Sequence, residues 1–269
     1  MTYDFSKYKR VFAFGCSFTS WAYPTYADLI FKSCTNAEKY NFGKSGGGNI
    51  FITNRLTEAN KKFKFNEDDL VVLMWSTFAR LDVWRMDKRW ITPGNIYSQD
   101  QLSKEVVDQV IDLDGVLMRD LSIIEVATVY LNSLPCDVIK FMSVPPDYDH
   151  NMNHKKDFIG TQIVETYSDT VKSYGTSFYE YLGGHWPKND VCYEYVDGFR
   201  DLMTDYHPRI IDSVNFLSHH KIPLSSEAIE YANRSHEFMA KKDKKQFSAI
   251  KDFFPEVEYR TDEAYKLLW

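Results

Sequence analysis

The stretch "DLVVLMW", residues 69 to 75, is an unbroken apolar run after its first residue. In a strand, successive side chains point to opposite faces, so a run with no polar alternation must be covered on both sides. That requirement points to a sheet sandwiched between helices, and the rest of the chain offers the parts. Val11 to Phe14 is a second apolar run, closed by Gly15; "EKYNFG" and "DVIKFMS" read as two further strands, ending at Gly43 and Ser143. Between them, "PTYADLIFKSC" places Tyr26, Leu29, Ile30 and Ser33 on one helical face. In the same way, "GNIFITNRLTEANKKF" aligns Ile52, Leu56, Ala59 and Phe63. A long helical stretch from about 103 to 134 carries Val107, Leu117, Leu121 and Ile124, stops before Pro135, and is expected to divide at Gly115. Strands alternating with helices predict an α/β fold with a parallel sheet and helices on both faces.

Two regions break the rhythm. Residues 78 to 100 are rich in Trp and Arg without a period, and residues 144 to about 200 read as a long irregular stretch rich in Tyr, Gly and His. From Ser225 onward the chain is charged and helical in pattern. The expected organisation is an α/β domain over 1–222 and a helical C-terminal extension over 223–269. With 269 residues, 44% of them hydrophobic, the chain can bury one large core.

The formal charge of −6 argues against a broad electrostatic grip on nucleic acid. Cys16, Cys34, Cys136 and Cys192 form no CxxC pair, so neither a zinc site nor a redox dithiol is expected, and no cofactor is called for. The opening "MTYDFSKYKR" lacks the apolar core of a secretion signal, and no apolar run is long enough to span a bilayer. A soluble, cytoplasmic protein without a membrane partner is therefore expected. His150 and His154 have the i, i+4 spacing of a metal pair, but "DYDHNMNHKKD" is too polar to hold them on a buried helix face.

In an open parallel sheet, ligands bind beyond the carboxyl ends of the strands. The residues there are Gly15-Cys16-Ser17-Phe18-Thr19, then "NFGKSGGGN" over 41–49, then Trp75-Ser76-Thr77, then "SVPPD"; "TDYHPRI" over 204–210 closes the α/β part. "GKS" at 43–45 is no phosphate loop, because Glu38 stands where the pattern needs glycine, and Ser17 lacks the second glycine of a GxSxG elbow.

In order and spacing, over roughly residues 10 to 220, these blocks resemble the SGNH (GDSL-like) hydrolase superfamily. Gly15-Cys16-Ser17 matches its first block, "NFGKSGGGN" its second, with Gly46 as the block's glycine, and Asp205-Tyr206-His207-Pro208 its last. "GCSFT" with "DYHP" further resembles chains of this type encoded by phages, for which the host cytoplasm or the virion is the implied location. The resemblance implies a three-layer α/β/α flavodoxin-like fold. It also implies a serine esterase in which Ser17 is the nucleophile, His207 the general base and Asp205 its orienting partner. The amides of Ser17 and Gly46 would hold the oxyanion. The family's third block supplies an Asn donor that "MWSTFARLD" lacks; Ser76 or Thr77, or Asn49 from the neighbouring turn, are the substitutes.

The plain alternative for Ser17 is a helix N-cap, and for His207 a surface histidine at a helix start. Cys16 is a rival nucleophile, though alternation turns it away from Ser17. Arg80, Trp84 and Trp90 follow the third strand and suit a polar substrate, the rings stacking on sugar faces and Arg80 meeting a carboxylate or phosphate; the alternative is a packed surface loop. The expected substrate is a short acyl ester, such as an acetyl group, on a carbohydrate or similar small molecule. A binding protein of this fold without turnover, and an acyltransferase using the same residues, are the competing functions.

Overall fold

A computed structural model describes residues 3–78, 80–84, 90–92, 94, 96, 103–146, 158–194, 200–241, 250 and 253–254. The first half alternates strand and helix: β1 (Arg10–Phe14), α1 (Tyr26–Ser33), β2 (Glu38–Asn41), α2 (Asn49–Phe63) and β3 (Asp69–Trp75). A short hairpin of β4 (Val83–Trp84) and β5 (Trp90–Ile91) follows, then α3 (Lys104–Val110), α4 (Leu113–Asn132) and β6 (Asp137–Met142). The remainder comprises α5 (Phe158–Thr166), α6 (Ser168–Lys172), α7 (Phe178–Tyr181), the hairpin strands β7 (Asn189–Glu194) and β8 (Arg200–Asp205), α8 (Ile210–His219) and α9 (Ser226–Ala240).

The central sheet runs β2-β1-β3-β6, all parallel. Every residue of β3 is buried, as its sequence demands. Leu70, Val72 and Met74 face one core with Tyr26, Leu29, Phe216 and Ala232, while Val71, Leu73 and Trp75 face the other with Phe51, Ile52, Leu121 and Ile124. Helices α1, α8 and α9 therefore cover one face and α2 and α4 the other, a three-layer α/β/α architecture. Each fully buried Leu, Val or Met side chain contributes about 1.5–3 kcal/mol, so the centre of the sheet is held by its own sequence. The polar start of β3 is satisfied too: the buried Asp69 carboxylate accepts from Arg10 Nε at 2.7 Å and Nη2 at 2.6 Å.

The departures from the sequence reading have local causes. The long helix divides at Ile111-Asp112, not at Gly115, because the Asp112 carboxylate accepts from the amides of Asp114 and Gly115 and caps a new helix. Gly115 sits in that first turn. The stretch from 144 to 200 is not irregular where it is described; its helices α6 and α7 are too short to show a period, and α7 is set by the Ser177 and Glu180 capping box. In the tail, Ser225 caps α9, and Tyr231, Ala232 and Phe238 pack into the core shared by α1 and α8. His150 and His154 lie outside the described residues. Among the described residues no helix is long and apolar enough to cross a membrane.

Gly15 ends β1 where space runs out: a Cβ there would lie 2.0 Å from Thr19 Oγ1 and 3.0 Å from the Met74 carbonyl oxygen. Gly15→Ala is expected to lower unfolding stability by about 1–3 kcal/mol, read from urea midpoints at constant m-value. An unchanged midpoint would mean that Thr19 is not held against β1.

Candidate functional site

The chain leaves β1 through Gly15 and turns at once, the amides of Thr19 and Ser20 both donating to the Cys16 carbonyl at 3.0 and 3.1 Å. Ser17 lies in that turn, 5% exposed, and the Ser17 amide donates to no acceptor among the described residues. The helix that follows is capped elsewhere: the Thr25 amide donates to Asp28 Oδ2 at 2.7 Å, eight residues beyond Ser17. The N-cap reading of Ser17 thus has no helix to cap. Cys16 is buried as a free thiol.

The second turn is tied to the first. Asn41 Nδ2 donates to the Thr19 carbonyl at 2.9 Å, and the Lys44 amide donates to the Gly15 carbonyl at 3.0 Å. Gly46 has φ +76, and a Cβ would stand 2.5 Å from the Thr92 carbonyl oxygen, so only glycine fits here. The Gly46 amide, like that of Ser17, donates to no acceptor among the described residues. Lys44 is buried, with Nζ donating to Thr92 Oγ1 at 2.5 Å; burial draws its ammonium down to about 8 against the opposing pull of Asp82. It anchors the loop around Thr92 to this turn.

The last block arrives at the loop between β1 and α1 that bears Ser17. Asp205, the final residue of β8, takes His207 Nδ1 at 2.5 Å and the His207 amide at 2.9 Å on Oδ1. Oδ2 accepts from Trp21 Nε1 at 3.0 Å and Tyr23 Oη at 2.9 Å. The single residue between Asp205 and His207 therefore suffices for the carboxylate to reach the ring. The imidazole stacks on Trp21 at 3.7 Å between centroids and meets Phe18, the neighbour of Ser17, edge-on at 5.4 Å. Burial pushes the Asp205 carboxyl up, but the hydrogen bonds and charge of His207, with the Trp21 indole, outweigh it and hold the group below its ordinary range.

The third turn has a different content from the one expected. Asn49 adds no donor to the crevice: its Oδ1 accepts the Ser76 amide at 2.9 Å, and its Nδ2 donates to the Ser76 carbonyl at 3.3 Å and to Asp120 Oδ2 at 2.9 Å. Thr77 Oγ1 accepts from Arg80 Nε at 3.1 Å, whereas Ser76 Oγ is buried without a partner among the described residues. Arg80 Nη1 donates to the Gly47 carbonyl at 2.8 Å, bracing the glycine turn. Trp90 is only 8% exposed, its ring set edge-on to Phe51 and Trp84, so it anchors the hairpin and presents no open face; Trp84 is exposed.

Several contributors carried no signal in the sequence. Trp21 and Tyr23 lie more than 180 residues from the carboxylate they hold. Asp82 accepts from the amides of Gly48 and Phe51 at 2.8 and 2.9 Å and so caps α2; burial raises its carboxyl, with those amides opposing. Asp120, fully buried, is pushed up to about 7 by burial, against the pull of Arg119 and Asn49.

No protein-family model matches the chain, and no curated protein does. Among solved structures, protein YXIM of Bacillus subtilis superposes with a TM-score of 0.36 at 12% identity, over 81% of this chain and 58% of that one. The chain thus spans little more than half of that protein. A protein of Slackia heliotrinireducens, named "a putative SGNH hydrolase", gives 0.32 at 12% identity over 84% of this chain and 98% of that one. At this degree of superposition nothing about chemistry passes from either protein to this one.

A carboxyl held below its ordinary value stabilises the fold while it is ionised and stops doing so as the pH falls through its folded pKa. Wild type is therefore expected to exceed Asp205→Asn by about 1–3 kcal/mol above pH ~5, the difference shrinking as the pH falls below ~4. Urea unfolding across that range checks it; a difference that stays constant with pH would contradict the assignment.

Proposed function

We propose that the protein is a serine ester hydrolase of the SGNH type, acting on a short acyl ester of a carbohydrate or similar polar molecule. The observation that carries this reading is the Asp205 to His207 Nδ1 hydrogen bond at 2.5 Å, on an imidazole packed against Phe18 and Trp21 of the loop that bears Ser17. With Nδ1 on Asp205, Nε2 is the ring atom that takes the Ser17 proton as Oγ attacks the acyl carbonyl. The imidazolium that forms is stabilised by Asp205. The carbonyl oxygen, now negative, is received by the amides of Ser17 and Gly46, which have no other acceptor among the described residues. Protonated His207 then returns its proton to the leaving alcohol, and water, deprotonated by the same ring, releases the acid from Ser17.

One observation favours binding without turnover. The Ser76 amide is taken by Asn49, whose own Nδ2 is spent on the Ser76 carbonyl and Asp120, so the side-chain amide donor of the family's third block has no counterpart and only the Ser76 and Thr77 hydroxyls could replace it. Each missing oxyanion donor costs about 10²- to 10³-fold in kcat.

The test is a fluorophosphonate probe together with a short-chain aryl acetate, on wild type, Ser17→Ala and His207→Ala. Wild type is expected to label and to turn over, and both variants to fall to the background rate. A wild type that neither labels nor turns over would overturn the enzyme reading in favour of binding.

A further inference from the structure

The rings around His207 continue outward past Phe18. Phe18, edge-on to the imidazole, meets Trp186 at 4.9 Å between centroids, and Trp186 meets Tyr179 at 5.1 Å. Phe18 lies at the margin of the core on the α1 face, and Trp186 and Tyr179 at the margin of the core on the α2 face, so the patch bridges the two layers. All three side chains are half-buried, and the His207 side chain is 19% exposed, so solvent reaches the imidazole and the rings beside it.

Trp186 is set in place by a turn and not by a helix face. The Tyr179 amide donates to the Ser143 carbonyl at 3.0 Å, which seats α7 on the end of β6. After α7 the chain reverses through Gly183 and Gly184, with φ +76 and +79, and the Gly184 amide donates to the Tyr179 carbonyl at 3.0 Å. That left-handed pair, open to glycine without steric cost, returns Trp186 to the Tyr179 ring.

In ester hydrolysis the leaving alcohol must present its oxygen to His207 Nε2 to collect a proton, so the group behind that oxygen lies beside the imidazole. Trp21 stacks on the imidazole, Phe18 meets it edge-on, and Trp186 follows Phe18. The border of this patch is wet: Tyr206 is exposed beside His207 in the chain, and His185 and Lys188 are exposed on either side of Trp186. An alkyl alcohol would need a closed apolar channel. A half-wet indole suits a ligand of the same make, apolar on its faces and polar on its rim. A pyranose with equatorial substituents is such a ligand, since C–H bonds cover its faces and hydroxyl groups its edge.

We propose that Phe18, Trp186 and Tyr179 form the subsite for the alcohol part of the ester, and that this part is an equatorially substituted pyranose stacked on the Trp186 indole. The assignment to the alcohol side rests on the hydrolase reading; the stacking itself does not.

Methyl β-glucopyranoside carrying one acetyl group, placed on each ring hydroxyl in turn, tests both parts. With Ser17→Ala, which keeps the ester intact, at least one monoacetate is expected to show saturation transfer to its ring C–H protons. Trp186→Ala in that background is expected to raise its Kd about tenfold, and Trp186→Leu, which keeps apolar bulk but removes the flat face, to do the same. With Ser17 present, Trp186→Leu is expected to lower kcat/KM for that ester about tenfold more than for ethyl acetate, chiefly through KM. No monoacetate bound, binding unmoved by both Trp186 variants, equal losses for the sugar ester and ethyl acetate, or a larger Trp186 dependence for phenyl acetate than for any sugar ester would each overturn the proposal. A reactive Ser17 with no monoacetate bound fails the subsite alone; a monoacetate held through Trp186 beside an unreactive Ser17 fails the hydrolase and leaves a sugar-binding surface.

Discussion

The candidate site depends on one carboxylate. Asp205 receives four donors, two from His207 and one each from Trp21 and Tyr23, and so joins the end of the α/β half to the loop that leaves the first strand. It is the Asp205 carboxylate that fixes the tautomer of the imidazole, by taking Nδ1–H, while Trp21 and Phe18 pack the ring. With it, the His207 imidazole is held against Phe18 and Trp21 of the loop that bears Ser17. The net lowering of the Asp205 pKa, despite burial, is the energetic trace of that arrangement.

Around this clamp, the strand-end turns are braced by side chains that never face a substrate in the proposed chemistry. Asn41 and Lys44 lace the second turn to the first, Asp82 caps α2 from behind, and Asn49, held by Asp120, pairs with both backbone groups of Ser76. These are buried polar groups that are fully or nearly satisfied, which makes the turns rigid at the cost of burying charge. Burial pushes the Asp120 carboxyl up to about 7 and draws the Lys44 ammonium down to about 8, both toward neutrality. The result is a pair of amides, Ser17 and Gly46, left with no acceptor among the described residues. The same bracing spends the Asn49 amide, one of the candidate third donors, while the Ser76 hydroxyl stays without a partner among the described residues.

What was legible in the sequence follows from range. The apolar run at 69–75 dictated a sheet covered on both faces, and the helices flanking it had enough turns for their buried faces to repeat, so the layers and the parallel sheet could be read from local pattern, whereas the strand order could not. Ser17, Gly46, Asp205 and His207 stood out through short blocks at strand ends that resemble a family's, and such blocks are themselves local. The clamp from Trp21 and Tyr23 is a contact across more than 180 residues, and no spacing rule reaches that far. The break at Asp112 was hidden because Gly115 is the stronger helix breaker on propensity, while a capping carboxylate wins once the helix has a packing partner. Trp90 looked like a ligand surface only because its burial against Phe51 depends on a hairpin too short to leave a period.

The most direct test of the convergence is a crystal structure of the protein after reaction with a small alkyl phosphonofluoridate. The account predicts phosphorus bonded to Ser17 Oγ, its phosphoryl oxygen received by the amides of Ser17 and Gly46, and His207 Nε2 turned toward the adduct with Nδ1 still on Asp205. An adduct on another residue, or a phosphoryl oxygen pointing to solvent with His207 turned away, would contradict it.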